Sequence, residues 1–382
     1  MPRPTTHICL NMIVKNEEKV LPRLFRSVKD YIDYYVIVDT GSTDDTRALI
    51  RREMAAYGIE GEVHERPWVN FGVNRQQALE LALAADRADW LLFIDADEEL
   101  GVSDPKFYEK FEPGVSYDLE KHQGELRYAV HHLINVRSAR YRWEGPVHNY
   151  LVIEGEPARQ VRDDVWIVYH HAQGAKSHGV TQEEKFLRDA KLLEEEVARN
   201  PEDARSQFYL GQSYRDAGRF EQAIAAYKKR AAMDNGWDEE RFLAQLEVGR
   251  VSLRLEEPEA VILGELLAAY TLRPTRAEPL YELARYYRTR GGHAMAALFA
   301  KAGVQTPRPS DRLFVVDSVY TWRLLDELGV AAFGVGDYAT CKRSCEAVLA
   351  QVEGGLAVPV DEVQRIRENL AKADENLSEN AD

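Results

Sequence analysis

The sequence predicts an α/β domain with a mostly parallel, Rossmann-like sheet, followed by an all-α domain built from helical repeats. Three observations lead to this fold class. Apolar runs alternate with amphipathic stretches in the first quarter of the chain, as strands and helices do in a doubly wound sheet. Each of these apolar runs ends in a polar turn, where open α/β sheets bind their ligands. Beyond Gly179 the pattern is helical throughout, and a motif of small and aromatic residues recurs.

Composition limits the classes of function. The 382 residues include 49 Lys and Arg against 64 Asp and Glu, a formal net charge of -15. Such a chain repels polyanions, so a broad nucleic-acid surface is not expected. No apolar run approaches the roughly 20 residues of a membrane-spanning helix, and no secretory signal pattern opens the chain, so we expect a cytoplasmic protein. No disulfide framework is expected from Cys9, Cys341 and Cys345. Cys341 and Cys345 are expected to be small buried hydrophobes rather than metal ligands.

The first three predicted strands, residues 7–14, 34–38 and 62–65, are each followed by a polar turn and a helical period. The first turn is Lys15-Asn16-Glu17-Glu18. The second begins at Asp39, where Gly41 permits a tight turn and Ser42 or Thr43 is expected to cap a helix near Asp44. The third helix opens close to Asn74 and Arg75. All three turns should lie at one edge of the sheet.

The fourth predicted strand ends in a cluster of carboxylates. Five apolar residues, Trp90-Leu91-Leu92-Phe93-Ile94, run directly into Asp95-Ala96-Asp97-Glu98-Glu99. This abrupt change indicates a buried strand that ends in a site. Asp95 and Asp97 supply hard oxygen donors, which suit Mg²⁺ or Mn²⁺ holding a diphosphate. The alternative is a solvated acidic turn after a core strand, since short motifs often match by chance.

In this order, the motifs resemble those of the family 2 glycosyltransferases, which have the GT-A fold. The matching segments are residues 12–18 and 38–46, Asn74-Arg75 before a helix, and Asp95-Ala96-Asp97. The resemblance implies a nucleotide-sugar donor, with a UDP-sugar favoured, and inverting transfer to a hydroxyl, thiol or amide. It implies donor contacts from Asp39 to the base, from Glu17 near the nucleoside and from Asp95 near the ribose, with Asp97 on the metal. Further donor contacts are expected from Asn16, Ser42, Asn74 and Arg75.

The middle of the chain offers candidates for the acceptor side. Residues 101–124 are polar and irregular and are expected to cross the site as a mobile segment, before a strand at 125–136. Trp143 then suits a sugar-ring contact, and Glu144 is a candidate general base, as the family resemblance also implies. The alternative is that Glu144 pairs with Arg140 or Arg142. Asn149 replaces the acidic residue that usually follows the histidine in the matching part of the family, so the role of His148 stays open.

A final strand at 165–169 delivers His170 and His171. Two histidines at a strand end are more often structural than metal ligands. Here, however, the acidic site lacks a softer donor, and the resemblance implies that a histidine in this position completes the metal site. Comparison with the family pattern favours His170. Adjacent strand residues face opposite ways, so the two histidines are not expected to bind one ion.

The second half of the sequence is predicted to be helical. Thr181-Gln182-Glu183-Glu184 resembles a capping box that opens a linking helix over 179–200, after a GT-A domain at 1–178. Residues 201–354 resemble tetratricopeptide repeats, and 355–382 should form a capping helix and tail. The repeat positions are Leu210-Gly211, Tyr214, Gly218, Ala223 and Tyr227, then Leu283-Ala284, Tyr287, Gly291, Ala296 and Ala300, then Leu328-Gly329, Ala332, Gly336, Cys341 and Cys345, with a degenerate copy at Val248-Gly249 and Ser252. An irregular helical bundle is the alternative.

The leading hypothesis is therefore a metal-dependent glycosyltransferase whose repeat domain recognises the acceptor or joins subunits into a homo-oligomer. A peptide or protein acceptor is favoured, before a saccharide or a modified nucleic acid. One alternative is an interaction scaffold with an inactive transferase domain, against which the intact Asp39, Asp95, Asp97 and His170 speak. Another is a nucleotidyltransferase, which would need a glycine-rich triphosphate loop in place of residues 15–18.

Overall fold

The computed structural model describes residues 7–123, 126–170, 181–311 and 313–379, and the chain divides into two compact units, Met1–Glu196 and Val197–Asp382. Among its described residues, the first unit contains ten strands, three α-helices and a short 3-10 helix, and α4 extends across the boundary between the units. The strands are β1 Ile8–Val14, β2 Tyr34–Asp39, β3 Glu60–Glu65, β4 Trp90–Phe93, β5 Glu98–Val102, β6 Val115–Gln123, β7 Leu126–Asn135, β8 Arg140–Glu144, β9 Tyr150–Glu154 and β10 Ala158–Tyr169. The helices are α1 Leu21–Val28, α2 Thr46–Tyr57, α3 Phe71–Ala85 and α4 Gln182–Arg199.

Eight of the strands form one sheet in the order β3-β2-β1-β4-β7-β6-β10-β5. The four strands from β3 to β4 are parallel, as the sequence predicts. Beyond β4, the neighbours β6 and β10 are parallel, whereas the other pairs are antiparallel. The sheet is therefore mostly parallel with a mixed second half. β8 and β9 form a separate antiparallel hairpin.

Helices cover both faces of the parallel half. Alternate residues of β1, Ile8, Leu10 and Met12, are buried in one core with the apolar residues of α1 and α2. Cys9 belongs to a second core on the opposite face, with Leu79 of α3. Because side chains alternate along a strand, β1 serves both cores. This confirms the doubly wound arrangement.

One prediction for this unit is wrong. Residues 101–124 were expected to form a mobile segment, yet they contain the end of β5, a 3-10 turn at Phe107–Lys110 and the internal strand β6. The reason is a strand alternation: Val115, Tyr117 and Leu119 are buried in the core, and the residues between them face the other way.

The start of α2 also differs from expectation. The helix begins at Thr46, and neither Ser42 nor Thr43 caps it. Instead, Asp44 Oδ1 accepts hydrogen bonds from the backbone N of Thr46 at 3.1 Å and from its Oγ1 at 2.6 Å. Ser42 and Thr43 bind to the preceding loop, as described below.

The second unit is helical. Its helices are α5 Ala204–Asp216, α6 Phe220–Ala232, α7 Asp238–Arg254, α8 Glu259–Leu272, α9 Glu278–Arg288, α10 His293–Val304, α11 Leu324–Gly334, α12 Tyr338–Glu353 and α13 Val360–Glu379. Helices α5 to α12 form four successive pairs, and α13 packs on the last of them. The predicted capping box of α4 is confirmed, since Thr181 Oγ1 accepts from the backbone N of Glu184 at 3.2 Å.

Small residues bring the paired helices together, as the repeat positions predict. A Cβ added at Gly211 of α5 would lie 2.6 Å from the Tyr227 ring of α6, and one at Gly249 of α7 would lie 2.5 Å from Leu266 of α8. The cysteines of α12, Cys341 and Cys345, are buried and free, as is Cys9. No helix in the described ranges combines the length and the apolar character that crossing a bilayer requires.

Two glycines of one helix pair give a matched test of this packing. Gly249→Ala should lower the free energy of unfolding by about 1–3 kcal/mol, because the added methyl group meets the fully buried Leu266. Gly264→Ala in α8 should raise it by about 0.5–1 kcal/mol, because the site is open and alanine favours helix. Urea unfolding of both variants checks the prediction. If both substitutions change the free energy of unfolding equally, Gly249 is not needed for the close approach of α7 and α8.

Candidate active site

Asp39, the last residue of β2, has one engaged and one unengaged carboxylate oxygen. Its Oδ1 accepts hydrogen bonds from the backbone N of Gly41 at 3.0 Å and of Ser42 at 2.9 Å. Its Oδ2 is buried and has no hydrogen-bond partner among the described residues. An unpaired buried oxygen is costly, so such atoms call for an explanation. One oxygen thus fixes the turn, and the other keeps its capacity to accept a hydrogen bond.

The first polar loop is joined to the turn after Asp39. Asn16 has a left-handed backbone, φ 57°. Its Oδ1 accepts from the backbone N of Thr43 at 2.7 Å, and its own N donates to Ser42 Oγ at 2.9 Å. The N of Glu17 donates to Thr46 Oγ1 at 2.8 Å. Asn16 and Ser42, which were predicted to contact the donor, therefore hold the two loops together and support Asp39.

Asn74 was also predicted to contact the donor, and this role stays a prediction. The residue is fully buried. Its Nδ2 donates to the carbonyl of Pro67 at 3.0 Å, and its Oδ1 accepts from the N of Val69 at 2.9 Å. The amide therefore shapes the loop between β3 and α3. That loop adjoins Asp39, whose carbonyl accepts from the N of Arg66 at 3.0 Å.

Arg75 links the acidic turn to the β8–β9 hairpin. It forms an ion pair with Asp95 Oδ1, and its side chain is 12% exposed. The guanidinium carbon lies 5.1 Å from the centroid of the Trp143 ring, within cation–π range. Trp143 in turn packs edge-on against Phe93 at 5.2 Å between ring centroids. Asp95, Arg75 and Trp143 are thus brought together, although they are far apart in the sequence.

A buried ion pair supports the acidic turn. Glu98 is fully buried, its Oε2 accepts from the backbone N of Asp95 at 2.8 Å, and its Oε1 pairs with Lys121 of β6. Burial and the charge of Asp95 raise the pKa of Glu98 to about 7, with Lys121 opposing the shift. Burial would also raise the pKa of Asp95, but the charges of Arg75 and Lys121 outweigh it and hold that pKa below its usual value.

Sequence reasoning missed the contributions of Lys121 and His132 to this region. Burial lowers the pKa of His132 to about 4, and its Nδ1 donates to the carbonyl of Phe93 at 2.5 Å. A neutral His132 thus braces the end of β4. Lys121 lies in a segment whose strand pattern was overlooked, and no local signal connects it with Glu98.

The predicted metal ligands come from two neighbouring backbone segments. The N of His170 donates to the carbonyl of Asp97 at 3.1 Å. His170 Nε2 lies 3.1 Å from Glu99 Oε1, and the same oxygen lies 2.8 Å from Nε of Arg23. His171 lies outside the described residues. The end of β10 thus reaches the acidic turn as predicted.

The side chains near the acidic turn include candidate ligands for a divalent metal ion. Within the described ranges, no group of three or more His, Cys, Asp or Glu side chains is arranged to hold a metal by itself. Mg²⁺ and similar ions, however, often use one or two carboxylates and take further oxygens from substrate phosphates. Asp97 and His170 would be the protein ligands in a site of that kind, and a bound diphosphate would supply the remaining ligands.

The hairpin carries the predicted acceptor-side residues. Glu144 pairs with Arg142 and accepts a hydrogen bond from the hydroxyl of Tyr150 at 2.7 Å. The ion pair is the alternative that the sequence left open. Pro146, in the hairpin turn, accepts from the N of Phe71 at 3.1 Å, so the turn is fixed on the start of α3. His148 is exposed with φ 48°. The catalytic roles of Glu144 and His148 stay predictions.

Comparisons with known proteins show which families the two parts of the chain resemble. Residues 9–139 match the family model described as "Glycosyl transferase family 2". The chain is 26% identical to the SPbeta prophage-derived glycosyltransferase SunS of Bacillus subtilis over 241 residues, covering 59% of this chain and 53% of SunS. It is 39% identical to a TPR repeat-containing protein of Synechococcus elongatus over 94 residues, covering 24% of this chain and 21% of that protein.

A search of solved structures finds the crystal structure of MamA protein, with a TM-score of 0.36 and 21% identity, covering 46% of this chain and 88% of that one. The chain spans between about a fifth and about half of the length of the two curated relatives given above.

Proposed function

Residues 9–139 of this chain form a domain of glycosyl transferase family 2, and on that premise we propose that the protein transfers a sugar from a nucleotide-sugar donor to an acceptor. The observation that carries the proposal is the carboxylate of Asp39. It ends a parallel strand, it is buried, and it keeps one oxygen without a partner among the described residues. A nucleotide base bound there would supply the missing hydrogen-bond donor.

We propose a uridine nucleotide as the donor, a preference that follows from the family resemblance alone. Asp39 Oδ2 would accept from a ring N–H of the base. Glu17 would lie near the nucleoside, and Asp95 would accept from a ribose hydroxyl. Arg75, held between Asp95 and Trp143, would keep that carboxylate oriented.

The proposal includes Mn²⁺ or Mg²⁺, held by Asp97 and His170, with Asp95 as the third predicted ligand. When bound, the ion would neutralise negative charge on the diphosphate leaving group. In this proposal, the fold brings the carboxylate of Asp97 and the imidazole of His170 to one edge of the sheet. The backbone hydrogen bond between His170 and Asp97 supports this arrangement.

On the acceptor side, we propose that Glu144 removes the proton from the attacking hydroxyl, thiol or amide. The acceptor atom would bond to the anomeric carbon while the bond to the diphosphate breaks, so that the configuration is inverted. The proton would pass to the Glu144 carboxylate, and Trp143 would offer an apolar surface to the sugar or the acceptor. A peptide or protein acceptor is favoured, and the helical unit would recognise it.

Asp39→Asn tests the base contact. Asparagine can keep the Oδ1 bonds to the turn, but it presents an amide NH₂ to the base in place of an acceptor. UDP binding should weaken by about 1.5–3 kcal/mol, the usual value for a hydrogen bond to a charged group. Calorimetry in the presence of Mn²⁺ measures it. Asp86→Asn is the matched control, since Asp86 is the exposed residue after α3. Unchanged UDP affinity in Asp39→Asn, or a wild type that prefers GDP, would refute the assignment.

A further inference from the structure

In the helical unit, arginine–carboxylate ion pairs join α5 to α7, α7 to α9, α9 to α11, and α11 to α13. They are Arg205–Glu240 at 2.8 Å, Arg215–Glu247 at 2.8 Å, Arg250–Glu282 at 2.9 Å, Arg288–Glu327 at 2.5 Å and Arg365–Asp326 at 2.7 Å. In each pair the carboxylate side chain is the more buried partner, at 2–12% exposed against 28–40% for the arginine. The guanidinium groups are therefore the more exposed members of these neutral ion pairs.

A surface cavity of about 550 Å³ is lined by residues of α9, α11 and α13 and of the helical turn Val319–Arg323. We call it the arginine cavity; its lining includes Tyr281, Arg285, Arg288, Trp322, Arg323 and Arg365. Asp326, Glu327 and Glu362 also contribute to the lining, but Arg288 and Arg365 bind them.

Two guanidinium groups in the cavity are not neutralised in this way. Arg323 has no carboxylate partner in the described part of the chain, and its guanidinium carbon lies 5.9 Å from the Tyr281 ring and 5.6 Å from the Trp322 ring. Arg285 is 57% exposed, and its partner Glu282 lies 3.5 Å away and is already bound to Arg250 at 2.9 Å. The cavity thus combines one arginine without a carboxylate partner among the described residues, one arginine that shares its partner, and aromatic walls.

We propose that the arginine cavity binds an acidic segment of a partner protein. Carboxylates of that segment would pair with Arg285 and Arg323, because charge-assisted hydrogen bonds to a planar guanidinium are strong and directional. The carbon chains of the segment would pack on Tyr281 and Trp322. The proposal concerns binding by the helical unit and does not depend on the transfer reaction.

A short acidic peptide fits these observations better than a nucleic acid does. The chain has a net charge of -15, which repels a polymer with a charge on every nucleotide. A peptide with two or three carboxylates needs only the local positive charge of the cavity. Since that attraction acts between partly exposed groups, it should weaken as salt is added.

The test uses the full chain and a fluorescein-labelled peptide of alternating Glu and Ala, with a Gln-for-Glu peptide for comparison. Fluorescence anisotropy should show saturable, salt-sensitive binding of the Glu peptide only. The double variant Arg285→Ala/Arg323→Ala should bind it about tenfold or more weakly, as expected when charged hydrogen bonds are lost. Arg288 and Arg365 are left intact, because their removal would leave buried carboxylates unpaired and destabilise the fold.

Arg367→Ala is the matched control, since Arg367 is exposed on α13 next to the cavity-lining turn. It should bind the Glu peptide like the wild type. If the double variant unfolds, Arg323→Gln, which breaks no ion pair, provides the test. The proposal is overturned if the Gln peptide binds equally well, if Arg285→Ala/Arg323→Ala binds like Arg367→Ala, or if a single-stranded RNA oligonucleotide binds the same arginines more tightly than the Glu peptide does.

Discussion

Replacing Asp97 by Ala should abolish the metal-dependent part of nucleoside diphosphate binding. Asp97 is one of the three proposed protein ligands, with His170 and Asp95, and the described residues contain no group of three or more His, Cys, Asp or Glu side chains already arranged to hold a metal. Its loss would leave the charge of the diphosphate unscreened. In calorimetry, UDP with Mn²⁺ should bind the variant no better than UDP binds the wild type without Mn²⁺.

Two controls make this result specific. Thermal unfolding without ligand should show that Asp97→Ala still folds. Asp104→Ala, a change in the loop after β5, should bind UDP and Mn²⁺ like the wild type, because Asp104 pairs with Lys110 away from the acidic turn. Metal-sensitive UDP binding that survives in Asp97→Ala would remove Asp97 from the metal site.

Glu144→Gln should lower the rate of transfer by roughly 10²-fold or more while leaving donor affinity near the wild-type value. A general base acts only in the chemical step, and glutamine has a similar size but cannot take the proton. The hydrogen bond from Tyr150 at 2.7 Å can be kept by the amide oxygen, so the hairpin should hold its shape. Single-turnover transfer and equilibrium binding of the donor separate the two effects.

Glu154→Gln, at the end of the partner strand β9, is the matched control and should transfer normally. If Glu144→Gln transfers at the wild-type rate, Glu144 is not the base. His148 would be the next candidate, because histidine ordinarily titrates near neutral pH. A changed pH profile of transfer in His148→Ala, with Glu144 intact, would assign the role to His148.

Much of the fold could be predicted from local patterns. The strands from β1 to β4 and the helices between them are found within a few residues of their predicted positions, because each buries an unbroken apolar run or a helical stripe. The helix pairs were predicted from small residues such as Gly211, which leaves room for the Tyr227 ring of the paired helix. Strand β6 was missed because Pro113 and Gly114 suggested a loop, although residues 115–119 alternate as a strand does.

The site was predicted less completely, because its geometry depends on residues that are distant in the sequence. Periodicity could not show that Arg75 would lie between Asp95 and Trp143, or that Lys121 would pair with Glu98. Asn74 matched a binding motif, but its amide is used to hold the backbone of the loop before α3. A motif thus does not distinguish residues that would touch a ligand from residues that support the backbone around them.

We propose above that this chain transfers a sugar from a nucleotide-sugar donor and needs a divalent metal ion to do so. A donor hydrolysis screen tests it most directly: the full chain is incubated with UDP-, GDP- and CMP-sugars, each with Mn²⁺ and with a chelator, and the released nucleotide is measured. We expect the protein to release UDP from a UDP-sugar when Mn²⁺ is present, and to release none when the chelator is added. Folded protein that releases no nucleotide from any donor, or releases it equally with the chelator, would contradict it.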